Sequence, residues 1–95
     1  MKVSIRLFTT LRELTGKGEH IIEFKGGGTT VESALRQLTT HYGKEFKTYL
    51  YNDKGKVQEY LQVLVNGRSI DLMEGFNTKL KDGDQLAIVP PIGGG

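Results

Sequence analysis

The sequence predicts an α+β domain of two layers, a mixed sheet of about five strands with one principal helix packed across one face. Three observations carry that expectation. Apolar and polar residues alternate with period two near the N-terminus, with Val3, Ile5 and Leu7 set against Lys2, Ser4 and Arg6. An apolar stripe at helical spacing, Val31, Ala34, Leu35, Leu38 and Tyr42, follows a threonine and ends at Gly43. Asn66-Gly67 separates two apolar runs, and that pair supplies the two positive-φ positions of a tight type I′ turn.

In chain order, the alternation from Val3 is a strand with one face buried. Thr9 to Leu14 turn briefly helical, and Gly16 and Gly18 bracket a turn before the run His20-Ile21-Ile22-Glu23-Phe24, a second strand antiparallel to the first. After Gly26-Gly27-Gly28, Thr29 as N-cap with Glu32 three residues on makes a capping box for the helix, which Gly43 stops. Residues 44 to 60 stay open: Phe46, Tyr49 and Leu50 suit a short helical turn, and Asn52-Asp53-Lys54-Gly55 reads as a reverse turn. Leu61-Gln62-Val63-Leu64-Val65 and Arg68-Ser69-Ile70-Asp71-Leu72 form the hairpin around Asn66-Gly67. Lys81-Asp82-Gly83-Asp84 turns the chain into Gln85-Leu86-Ala87-Ile88-Val89, which Pro90 and Pro91 end because neither can donate a ladder hydrogen bond. If the first and last strands lie side by side in parallel, this order is a β-grasp.

Ninety-five residues suit a single domain, here residues 1–89, with 90–95 as an extended tail. The absence of cysteine removes disulfides, cysteine metal sites and a cysteine nucleophile. A net charge of +2 with both signs scattered lacks the single-sign field of a typical nucleic-acid binder. No apolar run approaches the roughly 18 residues that span a bilayer, and no secretory leader opens the chain, so the expected location is cytoplasmic.

Familiar catalytic and metal-binding patterns are scarce in the chain. His20 and His41 are 21 residues apart with no metal-binding spacing, and both are expected to be structural or surface residues. Asp82 and Asp84 suit a turn, because the acidic run of a calcium loop is missing. The glycine triplet 26–28 precedes a helix, yet Thr29-Thr30 replaces the Gly-Lys of a phosphate loop and Val31 takes the third glycine position of a dinucleotide loop. Tyr42, Tyr49, Tyr51 and Tyr60 interleave with Lys44, Lys47, Lys54 and Lys56, a pattern that suits either an ordinary amphipathic surface or partner patch or a stacking surface for single-stranded nucleic acid.

The C-terminus is the distinctive feature. A strand running straight into Pro90-Pro91 continues as a stiff arm, Ile92-Gly93-Gly94-Gly95, and the six residues from Pro90 reach at most ~20 Å. Glycines without side chains can enter a channel too narrow for other residues and offer a carboxylate at the tip. That is the shape of a substrate for another protein.

Three stretches resemble the ubiquitin-like sulfur carriers of the MoaD/ThiS type, above all the small subunit of molybdopterin synthase. They are Phe8-Thr9-Thr10-Leu11-Arg12-Glu13-Leu14, Thr30-Val31-Glu32-Ser33-Ala34-Leu35, and Leu80-Lys81-Asp82-Gly83-Asp84-Gln85-Leu86 continuing to the Pro90-Pro91-Ile92-Gly93-Gly94-Gly95 ending. The resemblance implies a β-grasp fold and a chain with no active site of its own that serves as co-substrate and subunit. It implies that an E1-like adenylating enzyme uses ATP to activate the Gly95 carboxylate, and that a sulfur donor protein then converts it to a thiocarboxylate. No cofactor binds directly. The tail would enter the large subunit of molybdopterin synthase and deliver sulfur for molybdenum or tungsten cofactor synthesis. Phe8 and Val89 fall where the family presents apolar contacts to partners, with Ile70 a looser third; the alternative is that all three are core. Two other readings stand beside this one: a ubiquitin-like modifier joined through Gly95 to lysines of target proteins, and a non-covalent RNA- or protein-binding module.

Overall fold

The computed structural model describes residues 1–25 and 29–91. The glycine triplet 26–28 and residues 92–95 of the tail lie outside the described residues, and so do the expectations placed on them. The first strand, β1 (Lys2–Leu7), follows its alternation: Val3, Ile5 and Leu7 are buried and Lys2 and Arg6 are exposed. A seven-residue helix, α1 (Thr9–Thr15), buries Leu11 and ends at Gly16, whose φ of 75° lets its N–H reach the Arg12 carbonyl. The antiparallel strand β2 (Glu19–Glu23) then pairs with β1 in the register Val3 opposite Ile22.

Helix α2 (Val31–Tyr42) buries Val31, Ala34, Leu35 and Leu38 against the sheet. Its cap is Thr30, one residue later than expected: the Thr30 hydroxyl accepts the Ser33 N–H at 3.3 Å. The tertiary structure decides between the two threonines, because the Thr29 carbonyl is held by the Leu80 N–H and Thr30 bridges to Lys79. Glu32 does not close a capping box and instead pairs with Arg36 one turn on at 2.7 Å. The open segment contains a helix, α3 (Lys44–Leu50), which buries Phe46 and Leu50. The turn at Asn52 follows, its side-chain oxygen accepting the N–H groups of Lys54 and Lys56.

Strands β3 (Gln62–Val65) and β4 (Arg68–Ser69) are joined by Asn66 and Gly67, both at positive φ (51° and 84°) as a type I′ turn requires. The second arm of this hairpin is shorter than the sequence predicts. After Ser69 the chain leaves the sheet in a 3-10 helix (Ile70–Leu72), with the Ser69 hydroxyl accepting the Asp71 N–H, and a second such turn covers Gly75–Asn77. Asp82 and Asp84 act as turn residues: Asp82 accepts the Lys2 N–H, and Asp84 accepts the Lys81 N–H and the Asn66 side-chain amide.

The last strand, β5 (Gln85–Val89), inserts between β1 and β3. It runs parallel to β1, with Ile5 beside Leu86 and Leu7 beside Ile88, and antiparallel to β3. Among the described residues the sheet order is β2-β1-β5-β3-β4, with the helices on the face that carries Val3, Ile5, Leu7, Leu86 and Ile88. The β-grasp expected from the element order is the observed fold.

Candidate functional site

The end of β5 is where the fold delivers its C-terminal segment. Leu86 and Ile88 are fully buried, and β5 is hydrogen-bonded on both sides, so the strand that leads to the tail is fixed by the core. Val89, the last strand residue, lies opposite Gln62 and is half-buried; Pro90 is half-buried and Pro91 exposed. One residue beyond Leu7, the partner of Ile88, stands Phe8. Phe8 is the extended cap residue of α1 (φ −120°, ψ 154°), its ring 38% exposed, with the Arg6 guanidinium 6.0 Å from the ring centre. Phe8, Val89 and Pro90 thus occupy the same end of the sheet. The face opposite the helices continues this surface through half-buried Ala87 and Leu64, cross-strand neighbours.

Ile70 does not belong to this surface. It is buried, at 3% exposure, because the turn into the 3-10 helix swings its side chain into the core, so its expected role as a docking contact is corrected to a packing one. Nor do the tyrosines form an exposed row. Tyr42, Tyr49 and Tyr51 pack against the core, Tyr42 stacks on Phe46 with ring centres 5.4 Å apart, and Tyr60 alone of the four is exposed. The Tyr51 hydroxyl is buried with no hydrogen-bond partner among the described residues, and burial raises its pKa, with Glu32 adding to the rise and Arg36 opposing it.

The two histidines are partly exposed residues, as expected, but the fold brings them together. Although 21 residues apart in sequence, His20 on β2 and His41 near the end of α2 bring their ring centres within 4.8 Å. The Tyr42 hydroxyl lies 2.7 Å from His20 Nδ1. Burial foremost, then the neighbouring His41 and Lys17, lower the His20 pKa. Sequence reasoning missed this meeting because β2 docks on the end of α2 through the tertiary fold, with no local signal for it. Among the described residues there is no group of three or more His, Cys, Asp or Glu side chains that would enclose a metal ion, and no helix long and apolar enough to cross a membrane.

A β-grasp whose doubly paired central strand opens into a proline-started, glycine-ended segment defines a ubiquitin-like protein. The comparisons agree. The crystal structure of SAMP1 from Haloferax volcanii superimposes with a TM-score of 0.86 at 26% identity, covering 100% of both chains. Small archaeal modifier protein 3 of the same organism is 33% identical over 95 residues, 100% of both chains. Sulfur carrier protein CysO of Mycobacterium tuberculosis is 26% identical over 96 residues, again 100% of both. The ThiS family model matches residues 5–95, and the chain belongs to that family of ubiquitin-like sulfur carriers, as its motifs imply.

Proposed function

We propose that this chain carries sulfur on its C-terminal glycine. The Gly95 carboxylate attacks the α-phosphorus of ATP on an E1-like enzyme, pyrophosphate leaves, and an acyl adenylate forms. Hydrosulfide released by a donor protein then attacks the carbonyl carbon, the C–O bond to AMP breaks, and loss of AMP and of the sulfur-borne proton leaves a thiocarboxylate. The phosphate anhydride supplies the leaving group that the carboxylate itself lacks. The observation that carries this reading is the placement of β5: a strand locked between β1 and β3 ends at Pro90-Pro91 beside an apolar surface of Phe8 and Val89, and in the sequence the glycines follow. ATP, its metal ion and the acid-base groups belong to the partner, and Phe8 and Val89 contribute the docking contacts on this side.

The acceptor proposed for the sulfur is the pterin precursor of the molybdenum or tungsten cofactor, with this chain as the small subunit of a molybdopterin synthase. The Pro90-Pro91 ending and the Leu80-Lys81-Asp82-Gly83-Asp84 approach to β5 support that assignment. A second reading, conjugation of Gly95 to lysines of target proteins, is supported by the full-length likeness to a small archaeal modifier protein. Pyrophosphate exchange into ATP by the purified E1-like enzyme tests the first step. Exchange should depend on this chain and vanish when Gly93, Gly94 and Gly95 are deleted; exchange that persists with the deleted chain would overturn the proposal. Isopeptide-linked conjugates in extracts, identified by mass spectrometry, would favour the second reading, and their absence alongside thiocarboxylate would exclude it.

A further inference from the structure

We propose that His20 and His41 form a two-imidazole site for a borderline divalent transition ion, with Zn²⁺ as the reference ion, in the concavity between β2 and the end of α2. The carrier chemistry neither uses nor requires this cluster, which involves neither the β5 strand nor the Phe8 surface. Both histidines line a depression of about 330 Å³, with Glu23, Gln37 and Thr40 among its other walls.

The spacing of the rings fits a shared ion. Two imidazoles bound to one metal through M–N bonds of about 2.0–2.1 Å have their ring centres about 4.5–5.2 Å apart, for bond angles between square-planar and tetrahedral. The observed separation is 4.8 Å, and the 50° angle between the ring planes is not that of a parallel stack. Tyr42 supplies the outer contact that a metal-bound imidazole ordinarily has. Its hydroxyl oxygen, 2.7 Å from His20 Nδ1, can accept a hydrogen bond from an N–H at that nitrogen, the tautomer that leaves the Nε2 lone pair free for the ion. The Tyr42 ring is itself held by Phe46 at 5.4 Å and meets His41 edge-on at 4.7 Å, which limits the motion of both partners. With two protein ligands, water completes the coordination, so the site is open and exchangeable. An ion held there ties the edge strand β2 to the last turn of α2.

The test is titration of the untagged 95-residue chain with zinc chloride at neutral pH, followed by calorimetry and by NMR of the imidazole protons. The expected result is saturable one-to-one binding tighter than about 1 mM, with the largest shifts on His20 and His41. His20→Gln and His41→Gln should each weaken binding at least about tenfold, and Tyr42→Phe should weaken it less while leaving one-to-one stoichiometry. Cu²⁺ should bind more tightly than Zn²⁺. Both histidines face solvent in part, so the variants should fold; if either does not, the shifts in the unaltered chain decide the matter. No saturable binding below about 1 mM, binding unchanged in either variant, or shifts confined to other residues would overturn the assignment.

Discussion

Replacing Phe46 by Ala probes the part of the chain whose structure the sequence left open. Phe46 sits on α3 at 1% exposure and stacks on Tyr42 with ring centres 5.4 Å apart, so the substitution removes a fully buried ring and breaks an aromatic pair. Phe-to-Ala changes in cores cost about 3–5 kcal/mol through lost burial and the cavity left behind. A chain of 95 residues is held by about 5–14 kcal/mol in total. With each kcal/mol worth about 4–8 °C in a domain of this size, the melting temperature should fall by about 12–40 °C. The assay is thermal unfolding by circular dichroism, with urea denaturation for the free energy. Lys47→Ala, on the exposed side of the same helix, is the control and should change stability by less than about 0.5 kcal/mol. A loss below about 1 kcal/mol for Phe46→Ala would refute the reasoning, because α3 would then be a surface ornament and not a wall of the core.

Other outcomes follow from single features of the structure. Thr30→Ala should cost about 1 kcal/mol in urea denaturation, whereas Thr29→Ala, which keeps the backbone carbonyl bonded to Leu80, should cost less than about 0.5 kcal/mol. Tyr51→Phe should be neutral or stabilising by up to ~1 kcal/mol, since it removes a buried hydroxyl without a partner among the described residues. Burial holds the Tyr51 phenol protonated to higher pH than in the unfolded chain, where it ionises near 10. The group therefore leaves stability independent of pH below 10 and lowers it as pH rises from 10 through the folded-state value, so alkaline unfolding of the parent and of Tyr51→Phe should diverge above pH 10. Phe8→Ala should raise the KM for activation by the E1-like enzyme about tenfold with the fold intact, read by pyrophosphate exchange and circular dichroism; an unchanged KM would remove Phe8 from the docking surface.

What could be read from the sequence were the features encoded locally. The period-two run in β1, the Asn66-Gly67 turn and the apolar stripe of α2 each need only neighbours along the chain, and each element formed where its pattern placed it. Phe46 and Leu50 stand four apart, a spacing that already fits the helix found there, though seven residues with two turn-forming flanks gave the pattern little length. The misreadings have tertiary causes. Two adjacent threonines compete for one cap, and the backbone contact of Thr29 with Leu80 settles the choice. Ile70 continues an apolar run that suits a strand, yet the Ser69 side chain captures the Asp71 N–H and turns the chain inward, burying the residue expected to dock. The end of β5 at Pro90-Pro91 was legible in the sequence, while the neighbourhood of Phe8 and Val89 became definite only once β5 was seen beside β1. The histidine pair had no sequence signal, because only the packing of β2 on the end of α2 creates it.

The central claim concerns one atom at the end of the chain, and intact-protein mass spectrometry reads it directly. After incubation with ATP, the E1-like enzyme and a sulfur donor, replacement of a carboxylate oxygen by sulfur should raise the mass by ~16 Da. Fragmentation should place the gain on Gly95, and a chain lacking that residue should show none. An unchanged mass in the presence of an enzyme that demonstrably adenylates the chain, or a gain located on any other residue, would contradict the account.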